Sequence, residues 1–180
     1  MTDSQPHPPT AAAFHAEFAS PLGPLKAFSD GEAVTVLRFT GRDRKKGLPD
    51  PPSSPAPDLP VFRALGKWLS VYFKGKDPGP SPAVNPEGAP FRKGVWELLP
   101  GIRYGRWVTY AALARAWSAK NGGAAMTARA VGGALGANPV PILIPCHRVL
   151  GNDGKLTGFA YGLDLKKALL ELEGNKDWKP

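Results

Sequence analysis

The sequence predicts an α/β protein whose first half combines strands with one helix and whose second half is mainly helical, with a helix-turn-helix. Three observations predict it. Residues 14–39 are strand-like and broken by turn residues at Pro21-Leu22-Gly23-Pro24 and Asp30-Gly31. Phe62, Leu65, Leu69 and Phe73 then fall at helical spacing. Beyond residue 108, two short helical stretches follow one another, each preceded by a threonine that can cap it.

The elements follow in chain order. Residues 1–13, rich in Pro, Ala and Thr, read as a disordered tail. Asp30-Gly31 lies between two apolar runs and predicts a hairpin. A charged knot at 42–46 leads through Gly47 and Leu48 into a stretch with six prolines between positions 49 and 60, read as an exposed loop. An amphipathic helix over 59–73 completes an α/β domain at 14–76. Five further prolines between 77 and 90, with Gly79 and Gly88, make 77–88 a linker and the expected domain boundary.

The second domain is expected over 89–174, with 175–180 as a tail. Pro90 opens a short helix carrying Phe91, Val95, Trp96 and Leu99, and Pro100-Gly101 stops it. Thr109 caps a helix through Trp117, and Thr127 caps another that ends at Gly136. The connection over 118–126 is longer than the three or four residues usual for a helix-turn-helix. Asn152-Asp153-Gly154 marks a tight turn, and Leu165, Leu169 and Leu172 define a closing helix.

Composition narrows the function. The chain lacks a long apolar run and a signal-peptide pattern, so a soluble protein is expected, cytoplasmic in a prokaryote or nuclear in a eukaryote. One cysteine excludes an internal disulfide, and with three histidines it excludes a cysteine-rich zinc site. The net charge is +8. Residues 91–180 hold 13 Lys and Arg against 6 Asp and Glu, whereas residues 1–90 hold 10 against 9. The basic half therefore points to a polyanion as partner.

That half also holds Cys146, delivered by the apolar run Val140-Pro141-Ile142-Leu143-Ile144-Pro145 and followed by His147 and Arg148. A lone thiol beside two cationic side chains is a candidate nucleophile, because the thiolate is the reactive species and positive charge favours it. In an extended segment neighbouring side chains point to opposite sides, so His147 is expected to reach the sulfur through a water. A histidine base works best when a carboxylate holds its other nitrogen, and Glu171 and Glu173 of the closing helix are the candidates. The helix after Thr127 contains Gly132-Gly133, at a cost of roughly 1 kcal/mol each relative to alanine. Something must approach that backbone closely: a neighbouring helix, or a nucleic-acid backbone with Arg129 projecting toward it.

Taken together, Ile144-Pro-Cys-His-Arg-Val149, Arg129-Ala-Val-Gly-Gly-Ala-Leu135 and Asn138-Pro-Val-Pro141 resemble the methylated-DNA–protein-cysteine methyltransferases, the alkylguanine-DNA alkyltransferases. Pro90-Phe91, Val95-Trp96, Tyr104-Gly105, Thr109-Tyr110 and Leu172-Glu173-Gly174 match in order, so the resemblance covers roughly 89–174. It implies an N-terminal ribonuclease-H-like α/β domain followed by a helix-turn-helix, winged-helix-like DNA-binding domain. It implies irreversible, single-turnover transfer of an alkyl group from the 6-oxygen of a flipped guanine to Cys146. His147 and Glu173 would be the water-linked base and its orienting carboxylate, and Tyr110 would crowd the backbone phosphate and donate to the base. Arg129 would fill the gap left by the extruded guanine, with Thr127, Ala128 and Gly132 beside it on DNA. Asn138 would tie the recognition helix to the active-site turn, while the Cys146 and Val149 carbonyls accept from the guanine amino group. Arg148, Phe159, Ala160 and Tyr161 would complete the pocket, with Phe159 and Ala160 standing where some members offer hydroxyls. Tyr161 is expected to narrow the entrance, so that methylguanine reacts faster than benzylguanine. The partner implied is double-stranded DNA carrying an alkylated guanine, met by a monomer, with no cofactor, metal or membrane involved.

Two other classes fit less well. A lesion-recognition protein without chemistry has no need of a thiol at position 146. A cysteine hydrolase needs a histidine across from the cysteine, and only His7 and His15 remain, in or near the start of the chain.

Overall fold

The structure, a computed structural model, describes residues 14–42 and 50–180. The expectations for the first 13 residues and for the charged knot beyond Arg42 lie outside the described residues. β1 (Phe14–Phe18), β2 (Leu25–Ser29) and β3 (Val34–Phe39) form an antiparallel meander. β4 (Ser54–Pro55) adds parallel to β1, giving the order β3-β2-β1-β4. The proline-rich stretch read as an exposed loop therefore supplies a short edge strand, where proline is tolerated. α1 (Pro60–Tyr72) buries Val61, Phe62, Leu65, Leu69 and Tyr72. Its last core residue is Tyr72 rather than Phe73, which stands at the C-cap where the helix has already ended.

Residues 77–88 are anchored. Val34 N–H donates to the Ala83 carbonyl at 2.9 Å, and Asn85 N–H returns a bond to the Val34 carbonyl at 2.9 Å. The exposed edge of β3 is further occupied by Pro139, whose carbonyl accepts from Leu37 N–H at 2.9 Å. An otherwise open strand edge is thus covered by residues 83–85 and by the approach to Cys146. One apolar cluster runs without a break from the sheet and α1 into the helical half.

In that half α2 (Pro90–Trp96) is shorter than expected. Leu99 sits instead in a separate 3-10 turn, Leu99–Gly101, because Pro100 cannot continue an α-helix. β5 (Val108–Thr109) pairs in parallel with β6 (Val149–Leu150). α3 (Tyr110–Lys120) starts where the Thr109 hydroxyl accepts from Ala112 N–H at 3.1 Å. α4 (Ala128–Gly136) starts where the Thr127 hydroxyl accepts from Ala130 N–H at 3.1 Å. α3 runs past Trp117 to Lys120, so the connection spans 121–127, with Gly122 and Gly123 at positive φ making the turn. The closing helix α5 (Leu163–Leu172) buries Leu165, Lys166, Leu169 and Leu170, while Leu172 is only half-buried. Residues beyond it fold back, Lys179 N–H donating to the Gly154 carbonyl at 2.8 Å. Among the described residues no helix is long and apolar enough to cross a membrane.

Candidate active site

Every residue from Pro141 to Leu150 is buried. Ile142 is held at φ 72°, a left-handed conformation that a β-branched residue adopts only under strain of on the order of 1–3 kcal/mol. Its complete burial and the Ile144 N–H bond to the Val140 carbonyl, 3.0 Å, hold it there. The bend delivers Cys146–Arg148 as a 3-10 turn.

This replaces the extended geometry expected from the sequence. With about three residues per turn, successive side chains leave in three directions rather than two. Cys146 faces an open cavity, His147 turns inward and Arg148 turns away from the cavity.

The cavity has a volume of about 770 Å³, within the range of small-molecule sites. Tyr110, Ala128, Arg129 and Gly132 line it from the helices, Cys146 from the turn, and residues 157–160 from the loop before α5. Phe159 and Ala160 are thus where the pocket was expected. Thr127 is exposed at the helix cap beside them. The Arg129 side chain makes no hydrogen bond or ion pair among the described residues.

Asn138 holds the sulfur. Its amide donates to Cys146 Sγ at 3.1 Å and to the Ile144 carbonyl at 2.8 Å, while its oxygen accepts from Val140 N–H at 3.0 Å. Burial pushes the Cys146 thiol pKa up; the Asn138 amide and the charge of Lys166 pull it down.

Behind the thiol lies a buried charged network. Of the two carboxylates left open by the sequence, Glu171 is exposed and pairs with Lys167 at 3.9 Å. Glu173 is the buried one, set at the end of α5 by Gly174 at φ 79°. Its Oε1 lies 2.7 Å from His147 Nε2 and accepts from Tyr72 O–H at 2.7 Å and Arg148 Nη2 at 3.0 Å. Its Oε2 accepts from Arg148 Nε at 2.8 Å and Gly105 N–H at 3.3 Å. Burial alone would raise the Glu173 pKa, but His147 and Arg148 hold it at about 2. The carboxylate is therefore ionised and His147 Nε2 carries the proton donated to it. Burial lowers the His147 pKa although Glu173 pulls it up, and with Nε2 turned to Glu173 the nitrogen left to take a proton is Nδ1. Nδ1 is buried with no hydrogen-bond partner among the described residues.

Four expected pocket residues do not line the cavity: Asn138, which sits behind the sulfur it holds, and Arg148, Val149 and Tyr161. Arg148 is spent on Glu173 and on the Ile102 carbonyl, 2.7 Å from Nη1. A guanidinium buried beside a carboxylate takes that pairing in preference to an open cavity. Val149 is fully buried, and its carbonyl already accepts from Lys166 Nζ at 2.6 Å. Tyr161 turns into the core, edge-on to Phe39 with ring centroids 5.6 Å apart and tilted against Phe159 at 5.8 Å. The gating of benzyl adducts expected of it has no basis in this geometry.

Two contributors escaped the sequence reading. Lys166 Nζ, on the buried face of α5, also donates to the Thr157 and Gly158 carbonyls at 2.6 and 3.2 Å and lies 5.6 Å from the centre of the Tyr110 ring. It ties the cavity wall at 157–158 to β6, and burial lowers its pKa to about 8. A lysine next to Leu165, within the apolar stripe of a helix, was the available signal. Tyr72 is the second, and its only signal was helical spacing from Leu65 and Leu69. Tyr110, its pKa raised by burial, keeps its proton and donates to the Thr157 and Gly158 carbonyls at 3.3 and 3.4 Å.

Known proteins resemble this chain over most of its length. The model of the 6-O-methylguanine DNA methyltransferase DNA-binding domain matches residues 90–175. The chain is 40% identical over 162 residues to the methylated-DNA–protein-cysteine methyltransferase of Methanosarcina acetivorans, spanning 90% of this chain and 99% of that protein. Against the Haemophilus influenzae protein of the same name it is 38% identical over 163 residues, spanning 90% and 87%. Its fold matches the crystal structure of Mycobacterium tuberculosis OGT in complex with DNA with a TM-score of 0.73 at 36% identity, covering 89% and 92% of the two chains. A likeness that extends over both halves, and not only over the segment carrying the cysteine, means that the chain belongs to the methylated-DNA–protein-cysteine methyltransferases, the family that repairs DNA by moving an alkyl group onto a cysteine of its own.

Proposed function

We propose that this chain, as a monomer, extrudes an alkylated guanine from double-stranded DNA into the Cys146 cavity and takes the alkyl group onto the sulfur. The observation that carries this reading is the open backbone of α4 beside the cavity. A Cβ added at Gly133 would meet nothing within 4 Å, and at Gly132 only the Tyr110 ring at 3.8 Å, an ordinary contact. Packing within the protein does not demand these glycines, whereas close approach of a nucleic-acid backbone does. Arg129, exposed in the first turn of α4, is placed to occupy the stack once the base has left it. Extrusion costs a few kcal/mol, which such a wedge offsets in part.

The chemistry balances within the site. The Cys146 proton passes to His147 Nδ1, with a water as the natural relay. The sulfur forms a bond to the alkyl carbon as the carbon–oxygen bond breaks, and the electron pair stays with guanine. Tyr110, still protonated, donates to the base as negative charge develops on it. A thioether is not a leaving group that this site can expel, so each chain acts once. The order β3-β2-β1-β4 with α1 packed on it supports a ribonuclease-H-like N-terminal domain at 14–76. α3, α4 and the β5–β6 pair support a winged-helix-like domain at 89–174, with 77–88 joining the two.

The test mixes protein with excess duplex carrying one isotope-labelled O6-methylguanine. Label should move to the protein and plateau at one methyl per chain; continued turnover, or release of label to water, would overturn the reading. Arg129→Ala should slow repair of the duplex by at least tenfold while leaving reaction with the free alkylated base nearly unchanged, since only the duplex requires extrusion. Equal losses on both substrates would place Arg129 in folding or chemistry instead.

A further inference from the structure

The hydroxyl of Tyr72 reaches the catalytic network from α1, across the whole apolar core. It is fully buried, and it donates to Glu173 Oε1 at 2.7 Å, the same oxygen that accepts from His147 Nε2. Its oxygen lies 3.4 Å from Nε2 itself. The ring is clamped by Trp68, stacked at 5.3 Å, and meets Phe73 and Tyr104 edge-on at 5.3 and 6.0 Å. A phenol held this firmly, and kept protonated by burial and the adjacent Glu173 charge, is a permanent donor.

We propose that Tyr72 is a positioning residue of the alkyl transfer: its hydrogen bond to Glu173 sets how strongly the carboxylate supports the protonated His147 ring. This rests on the reading that His147 takes the Cys146 proton. The imidazolium formed in that step is held by Oε1, and Oε1 shares its charge between His147, Tyr72 and Arg148. Arg148 and the Gly105 N–H fix the orientation of the carboxylate without Tyr72. What the tyrosine adds is withdrawal of charge from the oxygen facing the histidine. It thereby restrains the basicity of Nδ1 and keeps Cys146 a thiol in the resting protein. The other titratable groups facing this network are Arg148 and Cys146 of the turn, Tyr104 of the loop before β5, and Lys166 of α5. None of them makes a hydrogen bond to the Tyr72 hydroxyl, whose partners among the described residues are Glu173 and His147.

Tyr72→Phe keeps the clamped ring and deletes only the donor. The ring-nitrogen NMR titration of His147 in the DNA-free protein should show a pKa raised by about one unit, the effect of losing one charge-assisted hydrogen bond. The pH at which Cys146 reacts with a small thiol reagent should fall by a comparable amount. Trp68→Leu is the control: it loosens the same ring while keeping the hydroxyl, so it should lower the melting temperature and leave both titrations in place. A His147 pKa that is unchanged or lower in Tyr72→Phe overturns the proposal, as does an equal shift in Trp68→Leu. The titration needs no DNA and no methyl transfer, so its outcome is independent of the label-transfer experiment that tests the function itself.

Discussion

Cys146→Ala is expected to take up no label from methylated duplex at any time or protein concentration. Its affinity for the duplex should stay within about threefold of the natural protein, because little more than a buried sulfur is removed. The thiol is the single one in the chain, and its sulfur is 3.1 Å from the Asn138 amide at the wall of the cavity. The duplex would be met by α4 and Arg129, which the substitution leaves untouched. Label transfer measured alongside binding to the same oligonucleotide separates the two functions. Label recovered on the Cys146→Ala protein would show that another side chain is the acceptor.

Glu173→Gln is expected to cost the most stability of any single polar substitution at the site. Glutamine has the same shape, but it removes the charge that Arg148 and the His147 ring require, and it turns a hydrogen-bond donor toward donors. Breaking a buried ion pair from one side costs about 3–5 kcal/mol, so the melting temperature should fall by roughly 10 °C. The pH dependence gives a sharper test. The Glu173 pKa is about 2 in the folded protein against an ordinary value of 4.5. Its contribution, roughly 3 kcal/mol, is therefore fully present above pH 4.5 and is lost as pH falls toward 2. His147, with its pKa lowered by burial, acts in the same direction, costing stability as pH falls below its ordinary 6.5. Melting temperature against pH should fall steeply below 4.5 in the natural protein and more gently in Glu173→Gln. An equal acid slope in both would mean that Glu173 carries no depressed pKa.

Local chemistry alone identified the second half in detail. Thr109 and Thr127 cap their helices because an oxygen on the residue before a helix meets its free N–H groups whatever the rest of the chain does. Cys146 as a candidate nucleophile, Arg129 at the start of α4 and the choice of the closing helix as the source of a carboxylate are likewise visible in spacing and residue type. What the sequence could not decide is where side chains of the buried network point. The strained Ile142 and the 3-10 turn send Arg148 toward Ile102 and Glu173 and away from the cavity, and no periodicity announces such a turn. Tyr161 left the pocket because Phe39, from β3, offered its ring an edge-on partner in the core. Lys166 looks like a solvated helix residue until the carbonyls of Val149, Thr157 and Gly158 close around it. Tyr72 and Glu173 are separated by 101 positions, and they meet only because α1 and the end of α5 pack on the same core. Caps, turns and helical stripes are set by atoms a few residues apart and can be read from order alone. The partners of a buried charge are set by which elements the core brings together, and that is decided by the tertiary structure.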